Sequence, residues 1–200
     1  VHQSTIKAWR RCKRQYWYKY VLNLIPRKPK GPALRGTVVH EILEADANGT
    51  DRWAPLKTLE ERYGKLFEAE RELYGDIPGE ISALMQGYFR YYKNDPLKPV
   101  KFKGRKSEHK FSVNLTSSII IEGKIDLIAD NPRGRWLVDH KTHKQIPTGD
   151  IKYSDIQSAI YTWVMPQMDP KMRPTGVVWD YIRWKAPTKP ELLKKGGMSR

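Results

Sequence analysis

A chain of 200 residues suits one domain around one core, with room for an appended helical lobe. Its 37 Lys and Arg against 22 Asp and Glu leave a net charge of +15, and seven Trp and eleven Tyr enrich it in rings. That balance points to a polyanionic partner, nucleic acid before membrane, because no apolar run approaches the ~18 residues of a spanning helix. Cys12 is the single cysteine, which excludes an internal disulfide framework and a Cys-based zinc or iron–sulfur site within these residues. With no signal-peptide pattern, the chain fits a reducing, cytoplasmic compartment.

In chain order, Ser4 is placed to cap a helix running to about Val21, with Ile6, Trp9, Tyr16, Trp17 and Tyr20 on an apolar side and Lys7, Arg11 and Arg14 on another. Trp9, Tyr16 and Trp17 are read as core; the basic stripe is read as a phosphate-backbone contact or as a solvated helix face. "IPRKPKGPA" (25–33) is a Pro-rich basic connector, and "GTVVHEILEADA" (36–47) is a helix whose Val39, Ile42 and Leu43 face inward. Two more helical stretches, near 56–74 and 79–93, complete a mainly helical part over 1–95.

The texture changes at Pro96. "VKF", "KSEHKFSVNL", "SSIIIEGKIDLIAD" and "RWLVDHKT" alternate or run apolar between short turns, the pattern of an antiparallel meander. "SDIQSAIYTWVM" (154–165) returns to helical period with Ser154 as cap, and "TGVVWDYIRW" (175–184) is a last strand. One domain is expected over 1–185, its sheet within 96–185, followed by a basic, flexible tail over 186–200.

The strands around "DNPRG" read as a hairpin with residues 131–134 as its loop, so that Asp130 faces Arg135. Continuing outward sets Asp126 opposite Asp139 and Lys124 opposite Lys141. Alternation puts Ile119, Ile121, Ile125 and Leu127 on one face of the first strand and Glu122, Lys124 and Asp126 on the other. On the second strand Leu137, Asp139 and Lys141 point one way; Trp136, Val138 and His140 point the other. Carboxylates directly opposed, with Cβ atoms ~4.5–5.5 Å apart, repel, so a pair of acids beside a lysine calls for a cation. Hard oxygen donors at that spacing suit Mg²⁺ or Mn²⁺. A surface patch with both acids splayed into water fits the same spacing. His140 and His143, three apart on a strand, point to opposite faces, and His143 is expected beyond the strand's end, so a zinc pair is set aside.

Four ordered segments, "GTVVH" (36–40), "GKIDLI" (123–128), "VDHK" (138–141) and "QSAIY" (157–161), resemble those of the PD-(D/E)XK nuclease superfamily. The chain is similar to the branch of the RecB nuclease domain and its CRISPR-associated and phage exonuclease relatives. "STIKAWRRCKRQYWYKY" (4–20) resembles that branch's opening helix, which extends the resemblance over roughly residues 1–185. It implies an α/β (α+β) restriction-endonuclease-like core, with a central mixed, largely antiparallel sheet flanked by helices and an N-terminal helical lobe. It also implies that His40 is the metal-binding histidine, Asp126 and Asp139 the metal carboxylates, and Lys141 the catalytic lysine. Gln157 and Tyr161, at i and i+4 on one helix, match the Q-x-x-x-Y pair that supports the site and the DNA. Glu44, one turn after His40, is a further candidate ligand or a solvent-facing acid. Many members of the branch carry an iron–sulfur cluster on one early and three late cysteines; Cys12 holds the early place alone, so no cluster is expected within these residues. The Pro of the superfamily name is replaced by Ile125, a common departure.

The resemblance implies an exonuclease that hydrolyses DNA phosphodiesters to leave 5′-phosphates, in phage or bacterial recombination, repair or replication, on single strands or duplex ends. Lys7, Arg11, Arg14, Arg35 and the Lys101–Lys110 region would hold the backbone. A non-catalytic DNA-binding accessory of the same fold, an RNA-directed nuclease and a sequence- or structure-specific endonuclease are the alternatives. Inactive relatives typically lose the Asp or the Lys, and both are present.

Overall fold

The computed structural model describes residues 1–24, 31–146 and 155–184. Most of the expected connector (25–30), the Ser154 cap and the tail lie outside the described residues. Helix α1 (Gln3–Arg11) follows His2, so Ser4 sits within its first turn and does not cap it. The single helix expected to reach Val21 breaks at Cys12, whose backbone is extended. It restarts as α2 (Lys13–Tyr16), with Cys12 Sγ accepting from Gln15 N at 3.4 Å, and ends in a π-helical turn over Trp17–Val21. Like charges at helical spacing, Lys7 with Arg11 and Arg10 with Arg14, work against one continuous helix here.

Helix α3 (Gly31–Asn48) starts earlier than its pattern suggests and includes the end of the expected connector. The expected 56–74 stretch is two helices, α4 (Ala54–Gly64) and α5 (Glu68–Tyr74), divided just after Gly64, a poor helix former. In α6 (Ile77–Tyr91), the Asp76 side chain accepts from Gly79 N at 3.0 Å and Pro78 fills the first turn, so both start signals are used.

The sheet has the order β1 (Lys98–Pro99), β3 (Ile120–Asn131), β4 (Gly134–His143), β5 (Gly176–Arg183), with β2 (Ser107–Asn114) also paired to β3. Strands β2, β3 and β4 form the expected antiparallel meander, whereas β5 runs parallel to β4. A parallel neighbour needs a crossover, and α7 (Ile156–Met168) supplies it. Strand β4 extends to His143, paired with Arg183, so His143 lies in the strand and not beyond it.

The hairpin register is the one the turn residues dictate: Asn131 faces Gly134, Asp130 faces Arg135, and pairing continues to Leu127 opposite Val138. Asn131 Oδ1 accepts from Arg133 N at 2.8 Å, and Arg135 forks onto Asp130 with two contacts of 2.8 Å.

Strict alternation fails on β3. Ile125 and Ile128, three apart, join the same core as Leu137, while Leu127 is half-buried and lines a cavity with His40. Ile119 precedes the strand and is exposed. The slip coincides with Glu108 on β2, whose φ of 53° lies in the left-handed region. Ser107 pairs with Leu127 and His109 with Ile125, and no ladder pair joins Glu108 to Asp126 between them.

Two apolar cores flank the sheet. One packs Ile125, Ile128 and Leu137 against Ile160, Val164 and Met165 of α7; the other packs Val39 and Ile42 of α3 against Ile77, Ile81 and Met85 of α6, with Ile182 from β5. A Cβ at Gly123 would lie 2.5 Å from Phe111 Cζ, so this glycine lets the Phe111 ring cross the sheet to meet Tyr161, with centroids 5.8 Å apart. At Gly36 a Cβ would stand 3.1 Å from Thr142 Oγ1, and this close approach sets α3 against β4 one turn before His40.

Candidate active site

Three elements converge where the β2–β3 ladder is interrupted. His40 on α3 places Nδ1 3.6 Å from Asp126 Oδ2 and 3.9 Å from Glu108 Oε1. One ligand atom from each of His40, Glu108 and Asp126 lies within 4.8 Å of the others, and both carboxylates are buried. Asp126 Oδ2 also accepts from His140 N at 2.9 Å, and Lys124 ion-pairs with Glu108.

The electrostatics of this cluster are those of a site short of positive charge. Burial pushes the Asp126 carboxyl up, the Asp139 charge pushes it further, and His40 and His140 recover only part, so its pKa stays raised. Burial pulls His40 down, but the hydrogen bond to Glu108 and the charges of Asp126 and Glu108 more than offset this, leaving it raised. Burial would raise Glu108, yet His40 and Lys124 hold it below the ordinary carboxylate range. One imidazole and two buried carboxylates fit a divalent cation.

Beside this cluster lies a second set. The Lys141 ammonium pairs with Asp139 and donates to Gln157 Oε1 at 3.0 Å, while Gln157 Nε2 donates to Asp139 Oδ1 at 3.0 Å. Tyr161 lies 2.9 Å from Gln157 Nε2 and donates to Lys124 O at 2.5 Å, tying α7 to β3. Burial keeps the Tyr161 phenol protonated, with its pKa well above the ordinary value. Lys7 of α1 reaches in as well, pairing with Asp155 at 2.7 Å and approaching Gln157 Oε1 at 3.4 Å. A cleft of about 1000 Å³ leads past His2, Lys103 and Lys110 to Asp126, Gln157 and Tyr161.

His40, Asp126, Asp139, Lys141, Gln157 and Tyr161 are thus gathered in one region. Glu44 turns instead to Arg105. Arg35 is buried, bound to Glu80 at 2.5 Å and stacked 4.7 Å from the Trp184 ring, so its guanidinium is engaged within the fold. Arg11 and Arg14 are exposed, as are Lys101, Lys103, Arg105, Lys106 and Lys110. His140 faces away from Lys141, as alternation requires, and meets Asp180 at 2.8 Å; Tyr88 donates to the same oxygen at 2.7 Å.

Sequence reasoning missed Glu108. Its signal is the β2–β3 register, which sets position 108 level with Asp126, together with a charged residue where the strand turns inward.

A mixed sheet carrying a histidine–carboxylate cluster next to an Asp-x-Lys strand end is the layout of a metal-dependent phosphodiester hydrolase. The PD-(D/E)XK nuclease superfamily model matches residues 2–198, and the chain belongs to that superfamily. Membership implies a metal-dependent nuclease with a nucleic-acid substrate. No curated protein matches the chain. Among the described residues, no helix is long and apolar enough to cross a membrane.

Proposed function

We propose that the chain is a Mg²⁺- or Mn²⁺-dependent deoxyribonuclease of the RecB-like branch. In this reading it is an exonuclease leaving 5′-phosphates in phage or bacterial DNA recombination, repair or replication. The observation that carries the reading is the Lys141–Asp139–Gln157 set held beside the His40–Glu108–Asp126 cluster.

His40, Glu108 and Asp126 would hold the cation, with Asp139 completing the acidic surroundings. When bound, it supplies Lewis acidity for the scissile phosphodiester. Lys141 orients the attacking water and offsets negative charge developing on the phosphoryl oxygens. Asp139 and Gln157 fix the ammonium, and Tyr161 fixes Gln157 by closing the chain of hydrogen bonds onto Lys124 O. Arg11, Arg14, Lys103 and Lys110 are exposed, and they would meet phosphates along the strand. Gln3 and Ser4 at the start of α1 line the cleft, and with Lys7, paired with Asp155 midway along that helix, they mark where that strand would enter.

The test offers linear and closed circular DNA, single- and double-stranded, with Mg²⁺, with Mn²⁺ and with EDTA. Linear substrates should be degraded to 5′-phosphorylated products only when metal is present. Cutting of closed circles would replace the exonuclease by an endonuclease, and preferential cleavage of an RNA strand of the same sequence would move the substrate to RNA.

A further inference from the structure

Residues 1–24 carry six cations and five Trp or Tyr rings and contain no Asp or Glu. The rings expected to be core are largely not buried: Trp9 is 49% and Trp17 53% exposed, and Tyr18 is exposed too. Ile6 is the side chain of α1 that packs against the core beneath α7. Beyond it, the segment presents rings and cations together. Lys13 lies 5.3 Å above the Trp9 ring and Arg14 5.6 Å above Tyr18, while Trp9 meets Tyr16 edge to face at 5.1 Å.

A π-helical turn closes this end of the segment. Leu22 N bonds back to Trp17 O at 3.0 Å and Leu24 N to Tyr18 O at 2.9 Å, a widened winding that leaves Trp17 without a ring or cation partner among the described residues. This is an exposed indole on a segment whose charged side chains are all cationic.

We infer that the exposed ring-and-cation surface of α1, α2 and the π-turn, centred on Trp17, is a stacking platform for an unpaired nucleic-acid strand, which it delivers along α1 to the cleft. The inference rests on the nuclease reading for its destination and names the substrate form that reading leaves open, a single strand. Three observations select this occupant. Every charge on the segment is positive, which suits a phosphate backbone. Rings paired with cations read base and phosphate together, whereas a duplex keeps its base faces stacked inside. The start of α1 lines the cleft through Gln3 and Ser4, and Lys7 in the middle of that helix pairs with Asp155.

The experiment measures binding of a fluorescent oligothymidylate of about 16 nucleotides, and of a duplex of equal length, to the full chain in EDTA, where cleavage is excluded. Trp17→Ala should weaken single-strand binding about tenfold, leave duplex binding and the salt slope unchanged, and leave the melting temperature within error. Trp17→Phe should restore most of the affinity. Equal loss on both substrates, or no loss on either, overturns the inference. So does sedimentation showing that Trp17→Ala dissociates a dimer, because a second copy would then be the occupant. Because the assay involves no cleavage, a chain that binds single strands through Trp17 yet cuts nothing would refute the nuclease reading alone. A Trp17→Ala chain that cuts and binds single strands normally would refute the inference alone.

Discussion

The Lys141 ammonium has two fixed partners, Asp139 and Gln157, and both belong to the set that the sequence order picks out. A lysine merely satisfying a buried acid would be replaceable at a cost in stability; one that orients water and offsets charge would not be. Lys141→Ala is therefore expected to lower the cleavage rate by at least about 10²-fold, the scale of losing one pre-aimed donor, while binding to DNA in Ca²⁺ persists. Release of acid-soluble nucleotide and a gel-shift titration check the two halves, and a variant cutting at the parent rate removes Lys141 from the reaction. At this scale the legible residues were those whose neighbours are close in sequence or fixed by one hairpin: Asp139 and Lys141 share a strand end, and Gln157 and Tyr161 share a helix turn. Arg35 read as a surface cation because nothing local foretells Glu80, 45 residues later, as its partner.

Among the elements, the hairpin register followed from its turn: reading residues 131–134 as the connection set Asp130 against Arg135, and the structure keeps that pairing, with Asn131 opposite Gly134. The face assignment on β3 did not follow, because it depends on one residue of the neighbouring strand. Glu108 adopts φ 53° while buried, a conformation that costs a non-glycine residue about 1–2 kcal/mol. The return is a carboxylate aimed at His40 and Asp126 where a regular rung would have sent it elsewhere. Comparing Glu108→Gly with Glu108→Ala isolates the backbone, since both lose the carboxylate. The glycine variant should be the more stable of the two by about 1 kcal/mol, the reverse of the order at an ordinary strand position. Urea unfolding of the pair checks this, and alanine equal to or above glycine would show that the position carries no strain. The broken N-terminal helix was illegible for a related reason: its period favours one helix, whereas the extended backbone at Cys12 that divides it leaves no mark in a hydrophobic pattern.

For the whole molecule, the layers meet at the cluster: α3 brings His40, β2 brings Glu108 and β3 brings Asp126, so whatever neutralises these groups also clamps the helical layer to the sheet. Without metal the clamp is a proton. His40 has its folded pKa raised above 6.5, so its contribution is complete below 6.5 and is lost as pH rises through the raised value. Asp126, raised above 3.8, acts in the same direction: its contribution is complete below 3.8 and is lost as pH climbs past its raised value. Glu108, held below 4.5, acts the opposite way, but its contribution is already complete above 4.5, so as pH rises from there toward neutral the metal-free cluster loses stability, and a divalent cation that replaces the protons restores it. At a metal concentration 100 times its dissociation constant, binding contributes about 2.7 kcal/mol. For a chain of this size that is a rise of about 5–10 °C in melting temperature. Because a protonated His40 competes with the cation, the rise should shrink as pH falls from about 8 to about 6. Thermal melts in EDTA and in Mn²⁺ across that range measure it, and a shift that grows toward acid, or persists in a His40→Ala chain, would take His40 out of the metal site.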